Sequence, residues 1–238
     1  MKTLVLNQNQ KLLRRRIIEI SFKNNLSHIG SCLNVIDLVD GVYSHKKKDD
    51  LFVLSAGHSA VSWYAVLEKF NPGVKFDNII CIHPDKLSND LISVSTGSLG
   101  QGLPIAVGMA LADKDIEVYC LISDGECAEG SIWESLRVIS ENSITNLTVI
   151  VSSNGYGAYD LIKTPALKKR LKGFGLEMIV IDGNNPLEIK QALEIKARNV
   201  PRLIFANTSS EQLSFLQGLG AHYYVLGQDY LEAANKFK

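Results

Sequence analysis

Two oxygen-bearing side chains close two neighbouring apolar runs. Asp124, with Gly125, follows Val118-Tyr119-Cys120-Leu121-Ile122, and Asn154 follows Leu147-Thr148-Val149-Ile150-Val151. Apolar runs of this length, bounded by turn residues, predict buried strands. If those strands are parallel neighbours, Asp124 and Asn154 meet at the carboxyl edge of a sheet, where open α/β folds bind ligands. A carboxylate and an amide oxygen are hard donors suited to Mg²⁺ or Ca²⁺. Such an ion needs further oxygens, and a diphosphate offers two. Taken alone, Asp124-Gly125 also reads as a strand-to-helix turn with the aspartate as N-cap.

Glycines and histidines add to this picture. Gly97, Gly100 and Gly102 surround Ser98, Leu99 and Gln101. Glycine lets backbone approach a ligand and adopt positive φ, and a helix start offers free N–H groups to anions. Close helix-to-sheet packing is the plainer reading of the same residues. Of five histidines, His28, His58 and His83 sit in short motifs: His28-Ile29-Gly30, Gly57-His58 and His83-Pro84-Asp85.

In combination these segments resemble the N-terminal region of transketolases. The thiamine-diphosphate signature is Gly-Asp-Gly with an Asn about thirty residues on; here Asn154 follows Asp124 by 30 positions, with Ser123 in place of the first glycine. Asp50-Leu51-Phe52-Val53-Leu54-Ser55, Ser95-Thr96-Gly97-Ser98-Leu99-Gly100-Gln101-Gly102 and Ala106-Val107-Gly108-Met109-Ala110-Leu111-Ala112 follow the family's order, so the resemblance covers roughly residues 13–207.

The resemblance implies thiamine diphosphate and Mg²⁺ (or Ca²⁺) as cofactors and two-carbon ketol transfer between sugars or sugar phosphates. It places the metal on Asp124, Asn154 and the main-chain oxygen of Tyr156. Gly125 would give its N–H to the diphosphate, beside Asn154. The backbone of Gly97 and Leu99 would meet the cofactor's rings. His28 and His83 would contact substrate, and His58 the substrate and diphosphate neighbourhood. Glu129 matches a carboxylate that communicates between active sites; a first-turn acidic residue at a helix start is the simpler alternative. His222 falls where the family has a diphosphate-facing histidine, although the Lys-Gly-x-Gly element before it is gone. The segment Gly155-Tyr156-Gly157-Ala158-Tyr159-Asp160 also departs from the family, which leaves room for a specialised transfer in unusual sugar or glycan synthesis.

The family activates its cofactor with a glutamate from a pyrimidine-binding domain. Residues 1–238 are expected to form a single diphosphate-binding domain, so a C-terminal transketolase subunit would supply that glutamate, in a hetero-tetramer. The competing readings are a 2-oxo acid dehydrogenase alpha-like subunit, or a non-catalytic scaffold subunit. The histidine motifs and Ser95–Gly102 disfavour the first, and the intact Asp124 and Asn154 the second.

Composition agrees without deciding. Lys plus Arg and Asp plus Glu both number 25, giving zero formal charge and no general pull toward nucleic acid or anionic membrane. Lys46-Lys47-Lys48 runs straight into Asp49-Asp50 and reads as a solvated turn. The four cysteines show no zinc or redox spacing. With no signal peptide or apolar span, the expectation is a cytoplasmic, reduced protein.

The elements that must position these residues alternate. Helices are expected over residues 12–24, 34–43 (Asn34 as N-cap), 58–70, 102–114 (buried), 131–142 and 186–198. Strands are expected at 51–54, 118–122, 147–151, 176–181 and 203–206. This alternation predicts an α/β fold, a parallel sheet flanked by helices on both faces.

Overall fold

Alternation along the strands decides which helices cover which face. In the computed structural model, which describes residues 4–78, 81–195, 199–209 and 212–238, five strands form one sheet. They are β1 (Leu51–Leu54), β2 (Val118–Ser123), β3 (Leu147–Ser153), β4 (Glu177–Asp182) and β5 (Arg202–Asn207). All pairings are parallel, in the order β1-β2-β3-β5-β4. Phe52, Leu54, Tyr119, Leu121, Ile150 and Ile204 belong to one core layer. Their neighbours Val53, Cys120, Ile122, Val149, Val151, Leu203 and Phe205 belong to the other. Successive side chains point to opposite faces, so apolar residues at both parities require cover on both sides.

Among the described residues, five helices cover the first face: α1 (Gln8–Lys23), α2 (Ile29–His45), α3 (Ala60–Phe70), α7 (Pro186–Glu194) and α8 (Tyr230–Lys236). Three cover the second: α4 (Gly102–Ala112), α5 (Gly130–Glu141) and α6 (Thr164–Lys172). The free edge of β1 is shielded by an irregular segment: Ser93 and Thr96 hydroxyls donate to the carbonyls of Phe52 and Leu54. Such cover protects an edge strand from outside pairing. Among the described residues no helix is long and apolar enough to cross a membrane.

Several boundaries differ from the sequence expectation. Helix α1 begins earlier because Asn7 and Gln10 form a reciprocal cap: Gln10 N–H donates to Asn7 Oδ1 at 2.9 Å and Asn7 N–H to Gln10 Oε1 at 3.2 Å. Asn34 is not an N-cap. Helix α2 starts five residues before it, after His28 turns the chain in a left-handed conformation, φ 63°. Helix α4 is buried on one side only: Leu103, Ala106, Val107 and Ala110 pack inward, while Ile105 and Leu111 are 38% and 44% exposed. The helix expected over residues 186–198 ends at Glu194, and residues 196–198 lie outside the described residues. Helices α6 and α8 have no counterpart in the sequence expectation: α6 buries only Leu167 and Leu171 amid lysines, and α8 is barely two turns.

One buried ion pair ties both ends of the chain to the core. Arg14 is fully buried and grips Asp37 with two bonds, Nη1 to Oδ1 at 2.8 Å and Nη2 to Oδ2 at 2.6 Å. Its Nε donates to Gln212 Oε1 at 2.7 Å, and Gln212 Nε2 donates to Leu33 O at 2.8 Å. Asn184 Nδ2 completes the set on Asp37 Oδ2 at 3.2 Å. Thus α1, α2 and the loops after β4 and β5 share one polar centre. Removing one partner of a buried pair strands the other charge. Asp37→Ala is expected to destabilise the chain by about 3–5 kcal/mol in chemical denaturation; an unchanged midpoint would show the network to be dispensable.

Candidate active site

The register of β2 and β3 builds the acidic edge. Ser123 pairs with Ser152, so Asp124 and Asn154 are the first residues past two adjacent strand ends. Asp124 N–H still donates to Ser152 O at 2.9 Å. Its side chain is 4% exposed and caps no helix; Oδ2 accepts from Ser153 Oγ at 2.9 Å and Gly155 N–H at 2.8 Å. Burial pushes this carboxyl up to about 6, and those two bonds oppose the shift. Asn154 Oδ1 accepts Tyr156 N–H at 2.8 Å, which folds the chain into a tight loop closed by Ile162 N–H on Gly155 O at 2.8 Å. The donors gathered here, a carboxylate, an amide and nearby carbonyls, suit a hard divalent cation.

A second carboxylate, which belongs to none of the sequence motifs above, fastens the glycine loop to the sheet. Glu126 has no exposed surface. Its Oε1 accepts from Ser55 Oγ at 2.6 Å and Gly100 N–H at 3.0 Å, and its Oε2 from Ser123 N–H at 3.0 Å. Glu126 N–H in turn donates to Ser123 Oγ at 3.2 Å, so the serine standing in the signature glycine's place has a structural partner. Burial raises the Glu126 carboxyl above its ordinary range, against the pull of these bonds. Gly100 has φ 79°, and a Cβ there would come within 2.7 Å of Glu129 Cβ. A Cβ at Gly97 would stand 2.9 Å from His83 Cγ. Both glycines are therefore required by close approach.

The histidines converge from distant segments. His28 lies at the entrance to α2, His58 in a 3-10 turn after β1, and His222 in another at Leu219–Tyr223. The His28 ring centroid is 5.5 Å from that of His58 and 4.6 Å from that of His222; His58 and His222 are 5.8 Å apart. Ser27 Oγ is 2.7 Å from His28 Nδ1. Burial and the neighbouring imidazoles lower His28 to about 4 and His58 to about 3. Burial also lowers His83 and His222. At neutral pH these rings are uncharged, able to donate at one nitrogen and accept at the other.

The four histidines and the Asp124–Asn154 edge line one cavity of about 690 Å³, at the carboxyl ends of β1, β2 and β3. His28, His58, His83 and Glu129 border it, as do Gly97, Leu99, Gly125 and His222, with Asp124, Asn154 and Tyr156 at the acidic edge. Glu129 is the residue before α5, and its side chain caps no N–H there. Cys127, buried, also borders the cavity, and burial raises its thiol far above the ordinary range, which suits no nucleophile. His45 is exposed at the far end of α2. Tyr223, packed edge-on against His28 at 5.5 Å, joins the wall although no sequence motif marks it; a lone tyrosine in a loop carries no periodic signal.

Two measurements probe this arrangement. Glu126→Gln places an NH₂ group where one of three donors now points, and is expected to cost roughly 1–3 kcal/mol in chemical denaturation; a neutral result would mean the clasp is unimportant. The depressed histidines have a defined pH signature. Their unfolded forms bind protons below about 6.5 while the folded rings resist, so they add stability above that pH and lose it as pH falls toward about 4. Asp124 acts in the opposite sense below about 6. The difference between wild type and a His28→Asn/His58→Asn variant therefore isolates the histidine part, and should shrink as pH falls from 6.5 to 4.

Comparison with known proteins agrees with the geometry. The family described as "Transketolase, thiamine diphosphate binding domain" matches residues 24–236. A subunit of the apulose-4-phosphate transketolase of Actinobacillus succinogenes is 29% identical, over 96% of this chain and 94% of that protein. The transketolase of Pongo abelii is 32% identical over 87% of this chain, which spans only 37% of it. The crystal structure of transketolase from Campylobacter jejuni superposes with a TM-score of 0.85 at 26% identity, covering 96% of this chain and 42% of that one. A parallel sheet closed by these motifs, and a family match over most of its length, establish that the chain belongs to the transketolase thiamine-diphosphate-binding family.

Proposed function

We propose that this chain is the diphosphate-binding subunit of a two-component transketolase, which moves a two-carbon ketol unit from a ketose or ketose phosphate to an aldose acceptor. One observation carries the reading: His28, His58 and His83, the Asp124–Asn154 edge, and Gly97 and Leu99 border a single cavity, in a chain that spans 94% of a relative itself named as one subunit of a transketolase.

The donor set fits the cofactor. A buried carboxyl pushed up to about 6 is stabilised as an anion by a cation beside it. Asp124, Asn154 and the Tyr156 main-chain oxygen would hold Mg²⁺. Gly125 N–H and His222 would meet the diphosphate, and Gly97 and Leu99 the rings. When bound, thiamine diphosphate supplies the electron sink for carbon–carbon cleavage. The chain's residues orient the sugar around it. Neutral His28 and His83 accept hydrogen bonds from its hydroxyls and take up or return a proton at an imidazole nitrogen, with His58 alongside. Glu129, uncapped and beside Gly100, faces a subunit interface in this reading. A second subunit supplies the pyrimidine-activating glutamate, in a hetero-tetramer with two copies of this diphosphate-binding domain.

Calorimetry with thiamine diphosphate and Mg²⁺ tests this, on the chain alone and mixed with a candidate second subunit. Tight binding and ketose cleavage are expected in the mixture. Asp124→Ala should weaken binding at least about ten-fold. The relative's name makes apulose 4-phosphate one donor to try. A mixture that binds no cofactor would overturn the reading.

A further inference from the structure

The loop that follows Asn154 folds back on itself and ends in a lysine. Gly155 O accepts Ile162 N–H at 2.8 Å, Tyr156 bridges Leu161, and Gly157 N–H donates to Asp160 O at 2.8 Å. Asn154 and Lys163 therefore flank the base of one small hairpin. The main chain of Lys163 is fixed by α6, because its carbonyl accepts Ala166 N–H at 2.9 Å and Leu167 N–H at 3.0 Å. Its side chain makes no cap. Lys163, Leu167 and Arg170 all border the cavity. Steps of four and seven residues stay on one helix face, so Arg170 continues the same side about 10 Å further along α6. Leu167 is buried in the core beneath them, while Lys163 and Arg170 are exposed.

Charge sets these two residues apart. Among the described residues bordering the cavity they are the only lysine and arginine, against the carboxyl groups of Asp124, Glu129 and Asp160. Burial keeps the four histidines there uncharged at neutral pH. The neighbouring Lys168 is already engaged: its Nζ donates to Asn207 Oδ1 at 3.0 Å and lies 4.7 Å from the centre of the Phe205 ring. Among the described residues, no ion pair or hydrogen bond occupies the side chain of Lys163 or Arg170. Two free cations on one side of a cavity suit a polyanion, which lysine meets as a point charge and arginine as a planar fork. A diphosphate on one divalent ion keeps negative charge, because the Asp124 carboxylate already offsets part of that ion.

We infer that Lys163 and Arg170 form a phosphate-binding pair that holds the cofactor's diphosphate alongside the metal. The inference rests on the ketol-transfer reading above. The position of Lys163, at the base of the hairpin that carries Asn154, favours the diphosphate over the phosphate of a sugar.

The test uses Lys163→Met and Arg170→Gln, which remove charge and keep length, and Lys163→Arg, which keeps the charge. Both side chains are exposed, so thermal unfolding of the free variants should match wild type. In the complex with the second subunit, calorimetry should show thiamine diphosphate with Mg²⁺ bound about five-fold more weakly by Lys163→Met and by Arg170→Gln, the size expected of a solvated charge pair. The loss should shrink as salt is raised, and Lys163→Arg should bind as wild type does. At saturating cofactor, KM for fructose 6-phosphate should stay within about two-fold of wild type. Unchanged cofactor affinity in both charge-removing variants overturns the pair and leaves the ketol-transfer reading standing. A raised KM for fructose 6-phosphate with cofactor affinity intact also overturns it, assigning the two cations to the sugar phosphate. A wild-type complex that binds no thiamine diphosphate defeats the ketol-transfer reading, and the pair with it.

Discussion

The site depends on a carboxylate with no access to solvent. Glu126 reaches the end of β1 through Ser55, the end of β2 through Ser123 and the glycine loop through Gly100. β1 and β2 are already paired in the sheet, and the carboxylate adds to that pair the glycine loop, which lies far from both in sequence. A buried charge holds them because leaving any of its donors unpaired is costly in a low-dielectric interior. The loop that carries Gly97 and Leu99 inherits its position from that charge. Glu129 inherits its place too, because it packs into the space Gly100 leaves beside it. Desolvation and directed hydrogen bonds thus do for the loop what apolar packing does for the sheet.

The other half of the cavity rests on the Arg14–Asp37 pair. Asp37 lies two turns along α2 from His28, and Gln212 lies ten residues before His222. Fixing both to one guanidinium brings the start of α2 and the last loop together. That places the His28 and His222 rings within 4.6 Å of each other. Two buried polar centres therefore position different segments that border the same cavity.

Much of this was legible from residue order. The apolar runs at β2 and β3 announced a parallel sheet, and the turn residues closing them located Asp124 and Asn154. The five strands came out within one or two residues; four are buried on both faces, which leaves little latitude in composition, and β4, half-buried at the sheet edge, is marked by its apolar run alone. The start of α2 was hidden: His28 adopts a conformation that only tertiary contacts impose, so Asn34 looked like the first capping residue. The burial of α4 was overestimated because a nearly uniform apolar sequence does not say which side meets the sheet. Glu126 was invisible for a related reason. An acidic residue in a loop reads as solvated, and only the fold shows Ser55 and Gly100 converging on it.

The backbone at His28 narrows what can be exchanged there. With φ 63° it occupies the left-handed region, where a branched side chain is strained and Asn, Asp and Gly are at ease. The position therefore answers to two separate demands, a main-chain shape that opens α2 toward the cavity and an imidazole at its edge. Substitutions that respect the first can interrogate the second in isolation. A valine or isoleucine there would alter both at once, confounding chemistry with the direction in which a seventeen-residue helix leaves the site.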